Sequence, residues 1–146
     1  MLMNLIIGVS TMMLCLVLQS LIIMVAAHYY IKHSDLVNNT SFKSTIIVLN
    51  GVMLVLVFGN LIQLTIWALL FLALGEFNQL SEAVYHSAVN YATLGYGDIV
   101  MSDKHKLLGP LESLNGILMV GVTTATLMAT FSDSMKKTVK ARRKLN

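Results

Sequence analysis

Three stretches of this chain carry no lysine, arginine, aspartate or glutamate: residues 1–31, 44–75 and 113–132. A hydrocarbon core about 30 Å thick needs roughly 20 apolar residues of helix. Each stretch meets that length. A span in lipid must satisfy its backbone groups internally, and a helix does so on its own. The composition agrees, with 56% hydrophobic and 12% charged residues, where a soluble domain is about a quarter charged. The expected fold is therefore an all-α membrane protein with three transmembrane helices. Its parts are a peripheral helix over 1–31, a cytoplasmic loop over 32–43, a second unit over 44–132 and a basic cytoplasmic tail over 133–146. Within that unit an outer helix is expected over 44–75 and an inner helix over 109–132. The first stretch also has a signal-peptide reading, because "VAA" at 25–27 resembles a cleavage site. Against it, the start has no Lys or Arg, and the apolar run exceeds the roughly 7–15 residues of such a segment. Cys15 stands alone and forms no internal disulfide.

A fourth piece, 80–92, is too short to cross and too polar to stand alone in lipid. It reads as a re-entrant half-helix, with Ser81 as its N-cap and Glu82 in its first turn. Charge placement orients the whole. With the tail inside, Lys32, Lys43, Lys136, Lys137, Lys140, Arg142, Arg143 and Lys144 are cytoplasmic. Only Lys104 and Lys106 fall outside, together with Glu76, Glu82, Asp98, Asp103 and Glu112. The positive-inside rule favours this arrangement, with the N-terminus outside.

The half-helix leads into "NYATLGYGDIV", residues 90–100. Irregular backbone at membrane depth survives only when buried in protein or lining a wet cavity. Gly95 and Gly97 admit backbone conformations that clash in residues with a Cβ. With alternating geometry, successive carbonyls point to one side. Several copies around an axis then stack oxygen rings that replace a cation's hydration shell. The Thr93 hydroxyl adds a further ring, and the half-helix ending near Ala92 points its negative end at the same axis. The competing reading is an ordinary turn. Thr93 before "GYG", Asp98 after it, a half-helix upstream and a span downstream argue against that.

"TLGYGD" at 93–98 resembles the selectivity-filter signature of tetrameric potassium channels, and the order span, pore helix (80–92), filter (93–98), inner span is similar over about residues 60–132. The resemblance implies a homotetramer around one pore, with no cofactor and potassium as the permeant ion. It implies that Thr93, Leu94, Gly95 and Tyr96 supply the coordinating carbonyls and that Gly97 completes the turn. It implies that Tyr85 donates a hydrogen bond to Asp98 and holds the filter. It also implies a gating hinge in the inner helix, for which Gly121 in "MVGVTTATL" fits best. Close packing is the competing reading there, and for Gly116 it is the preferred one. The sequence departs from the family pattern at Leu94 (usually Val), Ala92 (often Thr), Val89 (Glu in several members) and His86 (commonly Trp).

On the inner helix Val122, Ala125, Ala129 and Asp133 share a face. This narrow strip suits a water-filled inner cavity, with Asp133 either ringing its mouth or simply capping the span. The basic tail is either a topology anchor or an attachment to anionic lipid. On the first helix Asn4, Gly8, Thr11, Cys15, Gln19 and Ala26 share a face, which in lipid marks a helix contact. Asn60, Gln63 and Trp67 on the second offer it polar partners. Neither helix has the spaced arginines of a voltage sensor. His28, His33 and His86 are too scattered for a metal site, and His105 reads as solvated. No nucleophile–base pair appears, so no enzyme is expected, and no nucleic-acid partner. Two functions compete: a potassium-selective channel of the cell membrane, and a non-conducting channel-like accessory protein.

Overall fold

The computed structural model describes residues 1–37 and 42–143, without the side chain of Arg142. Part of the 32–43 connector, and Lys144 of the tail, lie outside the described residues. The helices are α1 Leu2–Lys32, α2 Ser34–Val37, α3 Phe42–Ala73, α4 Leu80–Tyr91 and α5 Leu108–Arg143. Among the described residues there is no strand, in line with the all-α expectation. α1, α3 and α5 are each long and apolar enough to cross a membrane.

Helix ends follow local chemistry. α3 stops at Ala73, two residues short of the expected 75. Gly75 takes a φ of +74° there. Its N–H donates to the Leu72 carbonyl at 3.0 Å, and the Glu76 N–H donates to Phe71 at 3.1 Å. This is a Schellman motif with glycine in its left-handed position. α5 begins around Gly109-Pro110, where proline's missing N–H is not needed. It does not stop at 132 but runs to Arg143. The segment expected as a separate tail holds no glycine or proline, and Met, Lys, Ala and Arg favour helix. An ion pair from Lys137 to Asp133, 2.7 Å long and one turn apart, supports it. The connector is not wholly irregular either, since α2 forms one turn within it.

The chain divides into two compact units. The first holds Met1–Gln19 and Asn60–Gly121. Its core gathers Cys15, Trp67, Phe71, Phe77, Tyr91, Leu108 and Met119. The expected contact face of α1 is the one that is buried: Asn4, Gly8, Cys15 and Gln19 are covered and Thr11 is half-covered. Gln63 Nε2 donates to Gln19 Oε1 at 2.7 Å, with both side chains buried. In lipid such a pair contributes about 0.6–2 kcal/mol. Gly8 lets Leu111 of α5 lie directly against α1.

The second unit holds Ser20–Gly59 and Val122 onward. Ile22, Ala26, Val37, Val48, Val52 and Leu56 are its buried apolar residues. The Thr45 and Thr138 hydroxyls meet at 2.9 Å, and Thr138 donates to the Val37 carbonyl at 3.2 Å. This ties α2 and α3 to the far end of α5.

Candidate functional site

The site lies in the first unit, where α4 ends. The N-cap of α4 is Gln79, in extended conformation and without a side-chain cap bond. Ser81, the expected cap, instead donates weakly to Gln79 Oε1 at 3.4 Å, because the helix starts one residue before it. Glu82 does lie in the first turn. At the other end Ala92 is the C-cap. The Thr93 N–H donates to the Asn90 carbonyl and the Leu94 N–H to Val89, both at 2.8 Å. This is again a Schellman motif, with the geometry seen at Gly75 but with threonine in the left-handed position, at a φ of +60°. A β-branched residue there is an outlier, and the conformation costs about 1–2 kcal/mol. Glycine would form the same turn without that cost. Only the hydroxyl and methyl groups distinguish threonine, so the strain is tied to what its side chain does.

The alternation continues. Gly95 has a φ of +61° and Gly97 of +71°, while Leu94 and Tyr96 between them remain negative. A chain that changes hand at each residue turns successive N–H groups to one side and the carbonyls to the other. Residues 92–98 are all exposed in the single chain. Leu94 is 54% and Tyr96 64% exposed, which is unfavourable for large apolar groups on a lone chain. Beside Thr93 opens a depression of about 310 Å³, floored by Tyr91, Ile117, Val120 and Gly121.

Polar contacts brace this loop from α4 and α5. Tyr85 Oη donates to Asp98 Oδ2 at 2.6 Å. That bond holds the Asp98 carboxyl below, and the Tyr85 hydroxyl above, its ordinary range. His86 Nδ1 meets the Ile99 carbonyl at 2.9 Å, and its Nε2 meets Asn90 Nδ2 at 2.8 Å. The Ser87 hydroxyl, with one proton to donate, lies within hydrogen-bond distance of both the Leu64 carbonyl, at 3.1 Å, and the carboxyl of the fully buried Glu112. Ser113 Oγ donates to the Asn90 carbonyl at 2.8 Å, the same oxygen that receives the Thr93 N–H. Gly116 passes so close to Tyr91 that a side chain would overlap the Tyr91 carbonyl. That is the packing role expected of it.

A second brace holds the segment after the loop. Glu76 accepts from the Ser102 N–H and hydroxyl, each at 2.7 Å, and from His105 Nδ1. Burial works to raise the Glu76 carboxyl, but these three donors together outweigh it and hold it below the usual range. The expectation of a solvated His105 is thus corrected. The residue is 6% exposed, because the Glu76 carboxylate, just past the end of α3, draws it inward. Ser87, Asn90, Glu112 and Ser113 were not singled out from sequence. The one available signal was the acidic residue at the head of an otherwise uncharged span.

The remaining candidates lie along α5. Gly121 has no atom within 4 Å of where a Cβ would sit. Val122, Ala125, Ala129 and Asp133 belong to the second unit and are all exposed. The Asp133 carboxylate is engaged, accepting from Tyr30 Oη at 2.8 Å and pairing with Lys137. Among the described residues no group of three or more His, Cys, Asp or Glu could hold a metal ion.

A family model described as an ion channel matches residues 52–133. The chain belongs to the ion channel family. The match covers more than half the chain, from within α3 through α4 and the alternating loop to Asp133, and leaves out α1. Comparison with individual characterised proteins and with solved structures gives no match. As an ion channel with three helices able to cross a membrane, this is an integral membrane protein. Its class is non-enzymatic.

Proposed function

We propose that this ion channel is potassium-selective, and that four identical chains surround one pore. Residues 93–97 form its filter, with carbonyls of Thr93, Leu94, Gly95 and Tyr96 and the Thr93 hydroxyl taking the place of the ion's hydration shell. The observation that carries this reading is the change of hand at each residue from Thr93 to Gly97. The exposure of Leu94 and Tyr96 supports assembly, because neighbouring copies would cover both side chains. The orientation proposed is N-terminus outside and C-terminus in the cytoplasm, in the cell membrane. The strip Val122, Ala125, Ala129 and Asp133 is assigned to the inner lining, Gly121 to the hinge, and the basic end of α5 to contact with anionic lipid. The test is ion flux from purified protein in liposomes. Potassium should pass at least about a hundredfold faster than sodium, and the protein in mild detergent should have the mass of four chains. Four chains without flux would favour the non-conducting accessory instead.

Tyr85 and Asp98 are the proposed outer latch of the filter. The Asp98 carboxyl is below its ordinary range because of this bond, so the bond is present at neutral pH and is lost as acid protonates the carboxylate. Tyr85→Phe removes the donor and leaves the ring in place. Single-channel recordings should show openings shortened severalfold, with the preference for potassium unchanged. Unaltered open times would mean that the latch does not hold the filter.

A further inference from the structure

His86 does more than fill the position where a tryptophan is common. The ring is 6% exposed and sits against Phe71 and Phe77, with centroids at 5.5 and 5.0 Å. Its two nitrogens have unlike partners. The Ile99 carbonyl can only accept, so Nδ1 must carry a proton. The ring is otherwise neutral if Nε2 accepts, and the Asn90 amide turns its NH2 toward it at 2.8 Å. The ring therefore links the body of α4 to the first residue after Asp98. Asn90 in turn supplies the carbonyl that receives the Thr93 N–H. One imidazole thus touches the supports of both ends of residues 93–98.

From this geometry we infer that His86 is a positioning residue of the filter that works only as the neutral ring, so that protons reaching it close the conducting state. The inference rests on reading residues 93–97 as the filter. Protonation would set Nε2–H against the Asn90 NH2, donor to donor, and Asn90 would have to turn over. A route for protons exists. A cavity of about 260 Å³ is lined by His86, Asn90, Val100, Lys106, Pro110 and Ser113. The charged groups acting on the ring are Asp98 at the end of the filter, Glu76 after α3, and Lys106, which lines the cavity from the outer loop. Lys106 is itself held by Asp103 at 2.9 Å. Burial favours the uncharged ring, and the Ile99 carbonyl and the two carboxylates offset only part of this, so His86 stays below the ordinary imidazole range. The sign follows. The neutral arrangement is fully favoured above about pH 6.5, the ordinary value. It loses ground as pH falls below that, by up to about tenfold per pH unit for each coupled proton.

The experiment measures potassium flux in liposomes with equal pH on both sides, from 7.5 to 5.0, for wild type, His86→Gln and Asn90→Asp. Gln keeps a donor and an acceptor but does not titrate. Asp gives the protonated ring an acceptor. Wild-type flux should fall at least tenfold over this range. His86→Gln should change less than twofold over it, and Asn90→Asp should hold its flux at least one pH unit further into acid. Wild-type flux that is flat with pH, or His86→Gln as acid-sensitive as wild type, overturns the inference. Absence of potassium flux from wild type at pH 7.5 would instead overturn the filter reading. What is then left of the inference, that His86 supports residues 93–98 only as the neutral ring, is decided by the Tm in detergent. It stands if wild type loses more Tm on acidification than His86→Gln does, and falls if the two lose the same.

Discussion

Replacing Gly97 with alanine is expected to abolish the proposed potassium flux while leaving the proposed four-chain assembly intact. The φ of +71° at Gly97 lies where a Cβ strains the backbone, and no atom lies within 4 Å of the site a Cβ would occupy. Within one chain the substitution therefore acts through backbone hand alone. The cost is about 1–2 kcal/mol per chain, small against a folded membrane bundle. Per chain it is comparable with the few kcal/mol that separate alternative backbone states of a loop, so it is enough to tip them. The residue would escape by changing hand, and its carbonyl would turn away from the row. Gly75 provides the control. It has nearly the same φ, +74°, and an equally open site, but it closes the turn after α3. Gly75→Ala should show the same strain and keep potassium flux within about twofold. Normal flux through Gly97→Ala would mean that the loop is not the filter. Equal loss in Gly75→Ala would mean that general strain, not the carbonyl row, was measured.

What the sequence made legible was whatever depends on charge and spacing. Uncharged length located the three long helices. A row of small and polar residues marked the buried face of α1, down to Gln19 opposite Gln63. The pairing of Tyr85 with Asp98 came instead from the resemblance to potassium channels, and the two side chains do meet, at 2.6 Å. What stayed hidden depends on three-dimensional proximity. Thr93 gives no sign in sequence that it takes a left-handed turn, since that conformation is imposed by two hydrogen bonds to carbonyls of α4. His105 looked solvated among charged neighbours, because its partner Glu76 is 29 residues away. Glu112 looked like a charge at a membrane edge, yet it is buried against Ser87. The run of α5 past 132 was missed for another reason. Charges end the apolar stretch at 132, but lysine and arginine do not end a helix.

Gly116→Ala should be the most damaging single methyl in α5. The added carbon would overlap the carbonyl of Tyr91, whose carbonyl carbon and Cα lie 2.9 and 3.1 Å away. These are backbone atoms and cannot swing aside as a side chain would. Either α5 moves out or the last turn of α4 moves down. Overpacking of this kind costs about 1–3 kcal/mol. The functional effect is larger, because Tyr91 is the last residue of α4 and Thr93 lies two residues on. A shift of a few tenths of an ångström there would displace the entry to the proposed filter. Potassium flux should fall at least tenfold, with a lower Tm in detergent. Gly121→Ala separates packing from hinge. With nothing within 4 Å of its added carbon, it should leave the Tm unchanged or raised, since alanine favours helix over glycine by about 1 kcal/mol. Any change it makes should appear in how often the channel opens. If Gly116→Ala keeps both flux and Tm, the close contact with Tyr91 does not position the filter. If Gly121→Ala lowers the Tm as much as Gly116→Ala does, then Gly121 is a packing residue and the hinge must lie elsewhere.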